Sequence, residues 1–343
     1  MTGKSGTVPE TPLGVVHYGL GWIGIEVARL VAARPGLRSV GAIDIRQEVI
    51  GAGLGVLAGT VEELDAVLVT DAASALAVSS AEVVAHCTHS SLERVLPQLL
   101  ECVDAGLPVV STCEELAFPW QEAPEIAARI DDAARRRGVS VLGTGVNPGF
   151  AMDYLPVVLS GASRCVERVF VHRVQDVGRR RISLQKRVGV GLTTQEFDER
   201  LHAGGLGHVG LPQSAEMMAS AFGWSLTELR ETIEPIVAER STPSNLGEIP
   251  PHHVTGVHQV VSGSIGGQEV ISLALDLAVG LEEPRDEICL FGDPDIETVI
   301  PGGLHGDVAT AAVVVNALPL AVDARPGLRV MTEIPPPRPR IGR

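Results

Sequence analysis

A chain of 343 residues, 45% hydrophobic and 20% charged, has the composition of a globular protein that buries a sizeable core, and its length suits two domains. Its formal net charge of −15 argues against nucleic acid or an anionic membrane surface as the main partner. The cysteines Cys87, Cys102, Cys113, Cys165 and Cys289 are scattered and show no CxxC spacing, which argues against a disulfide framework or a zinc site and points to the reducing cytoplasm.

Residues 1–12 read as a disordered lead-in without the apolar run of a signal peptide. LGVVHYG is a buried strand, Ile23–Ala33 a helix, and LRSVGAID a second strand. AEVVAHCT and PVVSTC are short apolar runs rich in β-branched residues. Between them, Leu92–Ala105 reads as a helix ending at Gly106. Ala123–Arg137 is another, closed by Gly138, and VSVLGTG follows as a strand. This alternation is that of a doubly wound parallel sheet.

The rhythm changes after Asn147-Pro148-Gly149. CVERVFVHRVQD, RRISLQKRVGV, HHVTGVHQVVSGS and QEVISLALDLAVG alternate like strands of an open sheet with one buried face, and helices are expected near Thr194–His202 and Pro212–Phe222. Residues 306–322 return to a helical pattern with Asp307 as its N-cap. Within it, Ala309–Val322 is too short and interrupted for a bilayer span. The expected class is α/β: a Rossmann domain over 13–150, an α+β substrate and dimerisation domain over 151–304 with an open mixed or antiparallel sheet, and a C-terminal helix over 305–335 returning to the first domain.

Gly19-Leu20-Gly21-Trp22-Ile23-Gly24 follows a strand, opens a helix and precedes a second strand. In that context the pattern has a mechanism: a tight turn at Gly19, close backbone approach to a pyrophosphate at Gly21, and close helix packing at Gly24. The helix N-terminus offers free N–H groups and a positive dipole to the phosphates. Asp44, 20 residues after Gly24, stands where a carboxylate binds the adenosine ribose, which favours NAD. Arg46 could pair with a 2′-phosphate, which favours NADP, so NAD and NADP both stay open. Thr88 is placed near the nicotinamide ribose, and Asn147 has an amide suited to the nicotinamide carboxamide.

Glu114 and Glu115 leave a central strand together. Along a continued strand they would point to opposite sides, so at most one faces the nicotinamide. Such a carboxylate could accept a proton from an ammonium, stabilise an iminium cation and activate water, with partial burial raising its pKa toward neutrality. The other is expected to cap the following helix or face solvent, and Glu114 is favoured as the reactive one. The only lysines are Lys4 and Lys186, neither near these loops, which disfavours lysine-based chemistry. His305, in the loop Pro301–Asp307, reads either as a substrate contact or proton relay or as a histidine bonded to backbone. His252-His253 reads as a structural turn. No cluster has metal-ligand spacing.

GLGWIG, STCEELAFPW, VLGTGVNPGFAMDYLP, LQKRVGVGLT, GHVGLPQSAEMM and IPGGLHGDVATAAVVVNALP together resemble the 2,4-diaminopentanoate dehydrogenases and their relatives, the native amine dehydrogenases, over roughly residues 13 to 335. The resemblance implies a fold of the dihydrodipicolinate reductase type and NAD(P)-dependent oxidative deamination of a small amine, or reductive amination of a ketone or aldehyde with ammonia. It implies that the catalytic glutamate is Glu114, with Glu115 as fallback. It also implies that Val146, Phe150 and Tyr154 wall the pocket and that a homodimer forms through the second domain's sheet. The lysine-bearing signature of true dihydrodipicolinate reductases is absent, and Leu116 stands where an EKP motif would need lysine. Two other functions compete: an ammonia-independent carbonyl, alcohol or imine reductase of the same fold, and a non-catalytic NAD(P)-binding sensor.

Overall fold

The computed structural model describes residues 11–59 and 68–339. The expected disordered lead-in lies outside the described residues except for its last two. The chain forms two compact units, Met1–Phe150 with Gly306–Arg343, and Ala151–His305.

The first unit opens with β1 (Leu13–Tyr18), α1 (Trp22–Ala32) and β2 (Leu37–Ile43). Gly24, Val27, Ala28 and Val31 form the buried stripe of α1, at the three- and four-residue spacing of one helix face. Two short helices follow, α2 (Leu54–Ala58) and α3 (Ala72–Leu76), with β3 (Leu68–Val69) between them. Next come β4 (Val83–His86), α4 (Leu92–Asp104), β5 (Val109–Ser111), α5 (Pro124–Arg137) and β6 (Ser140–Gly143). On α4, Leu92, Val95, Leu96, Leu99, Cys102 and Val103 are buried. Proline at the start of α5 and left-handed Gly138 at its end mark that helix at both termini.

The second unit contains α6 (Tyr154–Ser160), β7 (Cys165–Asp176), α7 (Ile182–Arg187), α8 (Thr194–His202) and α9 (Leu211–Phe222). Then come β8 (Glu228–Val237), β9 (Thr242–Ser244), β10 (Gly247–Ile249), β11 (Val254–Ile265), β12 (Gln268–Ala278), β13 (Arg285–Asp293) and β14 (Ile296–Pro301). Its main sheet runs β14-β13-β7-β12-β11-β8. All its pairs are antiparallel except β12 with β7, so the sheet is mixed. Helix α9 packs on β11 and β12, and α6 on β7 and β13. The expected strand RRISLQKRVGV is instead the helix α7 and a following turn. Its Leu, Gln, Lys and Arg are good helix formers, and buried Gln185 donates to the carbonyls of Val177 at 2.8 Å and Gly178 at 3.0 Å, tying the helix to the end of β7.

The chain then returns through α10 (Gly306–Asp323) and β15 (Gly327–Arg329). Asp307 lies inside the first turn of α10, not at its N-cap, because the helix already begins at Gly306. At 18 residues, α10 is by length and composition alone long and apolar enough to cross a membrane. It packs on α1, β4, β5 and β6 with Ala311, Val313, Val314, Val315, Ala317, Leu318 and Ala321 buried, as a core helix does. The first unit's sheet is parallel throughout, in the order β15-β6-β5-β4-β1-β2-β3. The order reverses beside β1, which places a topological switch point at the carboxyl ends of β1 and β4. The α/β class and the mixed second sheet are as the sequence suggested.

Candidate cofactor site and active site

The glycine turn sits at that switch point. The Gly19 N–H donates to Ile43 O at 2.8 Å and the Cys87 N–H to Tyr18 O at 2.7 Å, so the turn bridges the ends of β1, β2 and β4. Gly19 has φ +87°, and a Cβ there would fall 2.6 Å from Cys87 O. A Cβ on Gly24 would fall 2.0 Å from Gly19 O, which is why the helix seats so closely on the turn. A Cβ on Gly21, the residue before α1, would meet nothing within 4 Å. The backbone there borders open space at a helix N-terminus, the surface a pyrophosphate needs. Trp22 is exposed and Ile23 half-buried on the first turn of α1.

Asp44, just past β2, is buried and makes more contacts than a ribose-binding carboxylate needs. Its Oδ2 accepts from Leu20 N at 2.9 Å and Arg46 Nη2 at 3.0 Å. Its Oδ1 accepts from Arg46 N and Arg46 Nε, both at 2.9 Å. Burial pushes its pKa up, but the hydrogen bonds from Arg46 and Leu20 outweigh that and hold it below the ordinary value. These four donors fill the roughly four lone-pair positions of a carboxylate. Arg46 also donates from Nη2 to Leu20 O at 2.7 Å. The two residues therefore brace each other and the glycine turn, and Arg46 is the more exposed of the pair.

At the carboxyl ends of β4 and β5 lies a network that sequence reasoning missed. His86 is fully buried, and burial lowers its pKa to about 4, so it is neutral near pH 7. Its Nδ1 pairs with Ser111 Oγ at 2.9 Å and its Nε2 with Gln98 Oε1 at 2.9 Å and Thr88 Oγ1 at 3.1 Å. Thr88 is exposed and donates to Gln98 at 2.8 Å. A histidine inside an apolar strand was the available signal.

The glutamate pair is not on a continued strand. Strand β5 ends at Ser111, and Glu114–Ala117 form a 3₁₀ turn against Gly143, where a Cβ would fall 2.5 Å from Leu116 C. Glu115 Oε2 accepts from Leu92 N at 2.7 Å, capping α4, whose Ser91 makes no side-chain cap. One glutamate of the pair is thus a cap, as expected, but on the preceding helix rather than the following one. Glu114 is half-buried on the same turn.

Beyond β6, Asn147 is buried with neither its amide nitrogen nor its oxygen hydrogen-bonded among the described residues, and Thr144 Oγ1 is likewise buried without a partner there. A buried polar group left unpaired costs about 1–3 kcal/mol, so two such residues three apart mark a place where a polar ligand belongs. The donor and acceptor of Asn147 together match those of a carboxamide. Open space at Gly21 and the orphaned amide at Asn147 both fit a bound nicotinamide dinucleotide.

Val146 is buried and its N–H donates to Thr310 Oγ1 at 3.2 Å, and Phe150 is half-buried at the end of the first unit's N-terminal segment. Tyr154 opens α6 in the second unit, and burial raises its pKa. His305 is the last residue of the second unit and is exposed. Among the described residues no group of three or more His, Cys, Asp or Glu could hold a metal.

A sequence profile of the 2,4-diaminopentanoate dehydrogenase C-terminal domain matches residues 150–343. The chain is also 30% identical over 337 residues to 2,4-diaminopentanoate dehydrogenase of Acetoanaerobium sticklandii, covering 96% of this chain and 95% of the relative. The chain belongs to the 2,4-diaminopentanoate dehydrogenase family. A second family relative, an amine dehydrogenase of Streptomyces virginiae, is 25% identical over 356 residues, with 96% and 98% of the two chains covered. Among solved structures, an amine dehydrogenase from Mycobacterium smegmatis shares the fold at a TM-score of 0.86 and 23% identity, covering 97% of this chain and 99% of that one. Family membership makes the protein an oxidoreductase.

Proposed function

We propose that this family member is an NAD(P)-dependent amine dehydrogenase, deaminating a small amine oxidatively and aminating a ketone or aldehyde with ammonia in reverse. The observation that carries this reading is the division of the glutamate pair: Glu115 caps α4, which makes Glu114 the catalytic candidate on a turn at the carboxyl end of a central Rossmann strand. When bound, the nicotinamide supplies the hydride acceptor. Glu114 takes a proton from the substrate ammonium and releases it to solvent; its regenerated carboxylate then stabilises the iminium carbon left by hydride loss and takes a proton from the water that adds there. Asn147 would hold the carboxamide. Val146 and Phe150 are proposed to contact the substrate.

The saturation of Asp44 supports NADP over NAD, because Arg46 Nη1 makes no hydrogen bond among the described residues and is free to meet a 2′-phosphate. A homodimer is proposed through the face of the mixed sheet opposite α6 and α9, where strand alternation places Phe170, His172, Val260 and Asp276. Five cysteines without a disulfide support a cytoplasmic setting. Neither nucleic acid nor a membrane is proposed as a partner.

The test is a panel of short amines with NADP and NAD, and of ketones and aldehydes with ammonium and the reduced cofactors. Turnover that needs the amine, or ammonium in reverse, is expected. Carbonyl reduction independent of ammonium would favour the reductase, and binding of NAD(P)H with no turnover on any substrate would favour the sensor.

A further inference from the structure

A cleft in the first unit stands apart from the cofactor turn. Its volume is ≈ 450 Å³, within the range of small-molecule sites, and it lies between the second half of α10 and the chain that follows β15. Leu320 and Pro335 line it together with Asp323, Arg325, Arg329 and Glu333. β15 is the edge strand, and β6 and β5 separate it from β4, roughly 14 Å at the usual strand spacing. Along α10, Leu320 lies about 15 Å beyond Thr310, whose hydroxyl accepts from Val146 N. The cofactor turn and the cleft are therefore different places in one unit.

Arg329 is the feature that calls for a ligand. It is 8% exposed, and its Nε is buried with no hydrogen bond among the described residues. Its Nη2 donates to Pro326 O at 2.9 Å. Its two carboxylate neighbours stand off. Glu333 Oε2 is 3.5 Å from Nη1 and Asp131 Oδ1 is 3.8 Å from Nη2, against about 2.7–2.9 Å for a charge-assisted bond. Both are engaged elsewhere. Asp131 accepts from Arg135 Nε at 2.6 Å and Leu328 N at 2.9 Å, and Glu333 accepts from Val330 N at 3.2 Å. A guanidinium at this depth costs free energy until a carboxylate or phosphate meets its planar donors. Asp323 and Glu333 decide between the two. They repel a phosphate dianion but suit a ligand that also carries a cation. Asp323 ends α10, where the helix dipole adds negative charge. Leu320 and Pro335 supply apolar contact.

We propose that this cleft binds a free aliphatic amino acid, with its carboxylate on Arg329, its ammonium beside Asp323 and its side chain against Leu320 and Pro335. Arg325, exposed on the same cleft, adds positive charge that draws the carboxylate in. The site is separate from the one proposed for the amine and does not depend on amine turnover.

The test is calorimetric titration of L-leucine into the full-length protein saturated with NADPH, for wild type, Arg329→Gln, Asp323→Asn and Glu114→Gln. Wild type should bind L-leucine with a Kd of about 1 mM or below. Arg329→Gln should weaken this about tenfold or more and Asp323→Asn severalfold, because charge-assisted bonds are lost. Glu114→Gln should bind L-leucine like wild type, and all variants should bind NADPH within about twofold of wild type, since the sites are distant. Isoamylamine lacks the carboxylate and isocaproate lacks the ammonium, so each should lose about tenfold in the binding that Arg329→Gln removes. Asp323 is exposed, so Asp323→Asn carries the test if Arg329→Gln fails to fold. No binding of L-leucine to wild type at about 10 mM would overturn the proposal. So would wild-type affinity in both cleft variants, or isocaproate binding as tightly as L-leucine. Loss of L-leucine binding in Glu114→Gln alone would place it at the amine site and overturn the proposal as well.

Discussion

Replacing Arg46 by alanine separates the two groups that brace the glycine turn. The change removes Nε and Nη2 from Asp44, at 2.9 and 3.0 Å, and Nη2 from Leu20 O at 2.7 Å, while the backbone N–H of residue 46 still reaches Oδ1 at 2.9 Å. Stability should change little: the Arg46 side chain is 39% exposed, and ion pairs of that kind contribute ~0–1 kcal/mol. The cofactor should respond strongly. Hydrogen bonds to a charged group are worth ~1.5–3 kcal/mol, so NADPH should bind roughly ten- to a hundredfold more weakly. NADH lacks the 2′-phosphate and gains access to two lone-pair positions on Asp44, so it should bind equally well or more tightly. Titration calorimetry with both reduced cofactors reads this directly. Equal weakening of both, or an unchanged NADPH affinity, would refute the argument from Asp44's filled lone pairs.

Glu115→Gln should lower the melting temperature, because a carboxylate cap at a helix N-terminus contributes about 0.5–2 kcal/mol, and should retain turnover. Glu114→Gln should abolish turnover while NAD(P)H affinity, followed by fluorescence, stays intact. Gly24→Ala places a methyl 2.0 Å from Gly19 O and should cost cofactor binding at least tenfold, measured by the same titration. The fold should also weaken in acid. His17 and His86 are buried with pKa values lowered to about 4, so the unfolded chain binds more protons than the folded one between about pH 6.5 and pH 4. Their contribution is therefore complete above pH 6.5 and is lost as pH falls toward 4, at about 3 kcal/mol for each histidine. Thermal melts from pH 7.5 to 4.5 check this, and His86→Gln should flatten the curve.

The Rossmann unit was legible because its parallel strands are buried on both faces and appear as continuous apolar runs such as Val83–His86 and Val109–Ser111. Its glycine turn was legible because Gly19 and Gly24 are demanded by backbone geometry that no other residue meets. What stayed hidden depends on partners distant in sequence. Glu115 caps a helix 23 residues upstream, and Arg173 pairs with Asp286 across 113 residues. Local spacing says nothing of either. Asp44 and Arg46 were found by position, but their mutual saturation needs the Leu20 N–H, which only the folded turn brings to them. In α7, propensity and the buried amide of Gln185 outweighed an alternating pattern that resembled a strand.

The central claim is that nitrogen is exchanged at the carbon that gives or takes the hydride. Incubating the protein with a short ketone, NADPH and isotopically labelled ammonium, and analysing the products by mass spectrometry, tests it directly. The account expects labelled amine in step with NADPH oxidation, and none from Glu114→Gln. NADPH oxidation that yields an alcohol, with no label incorporated, would contradict it.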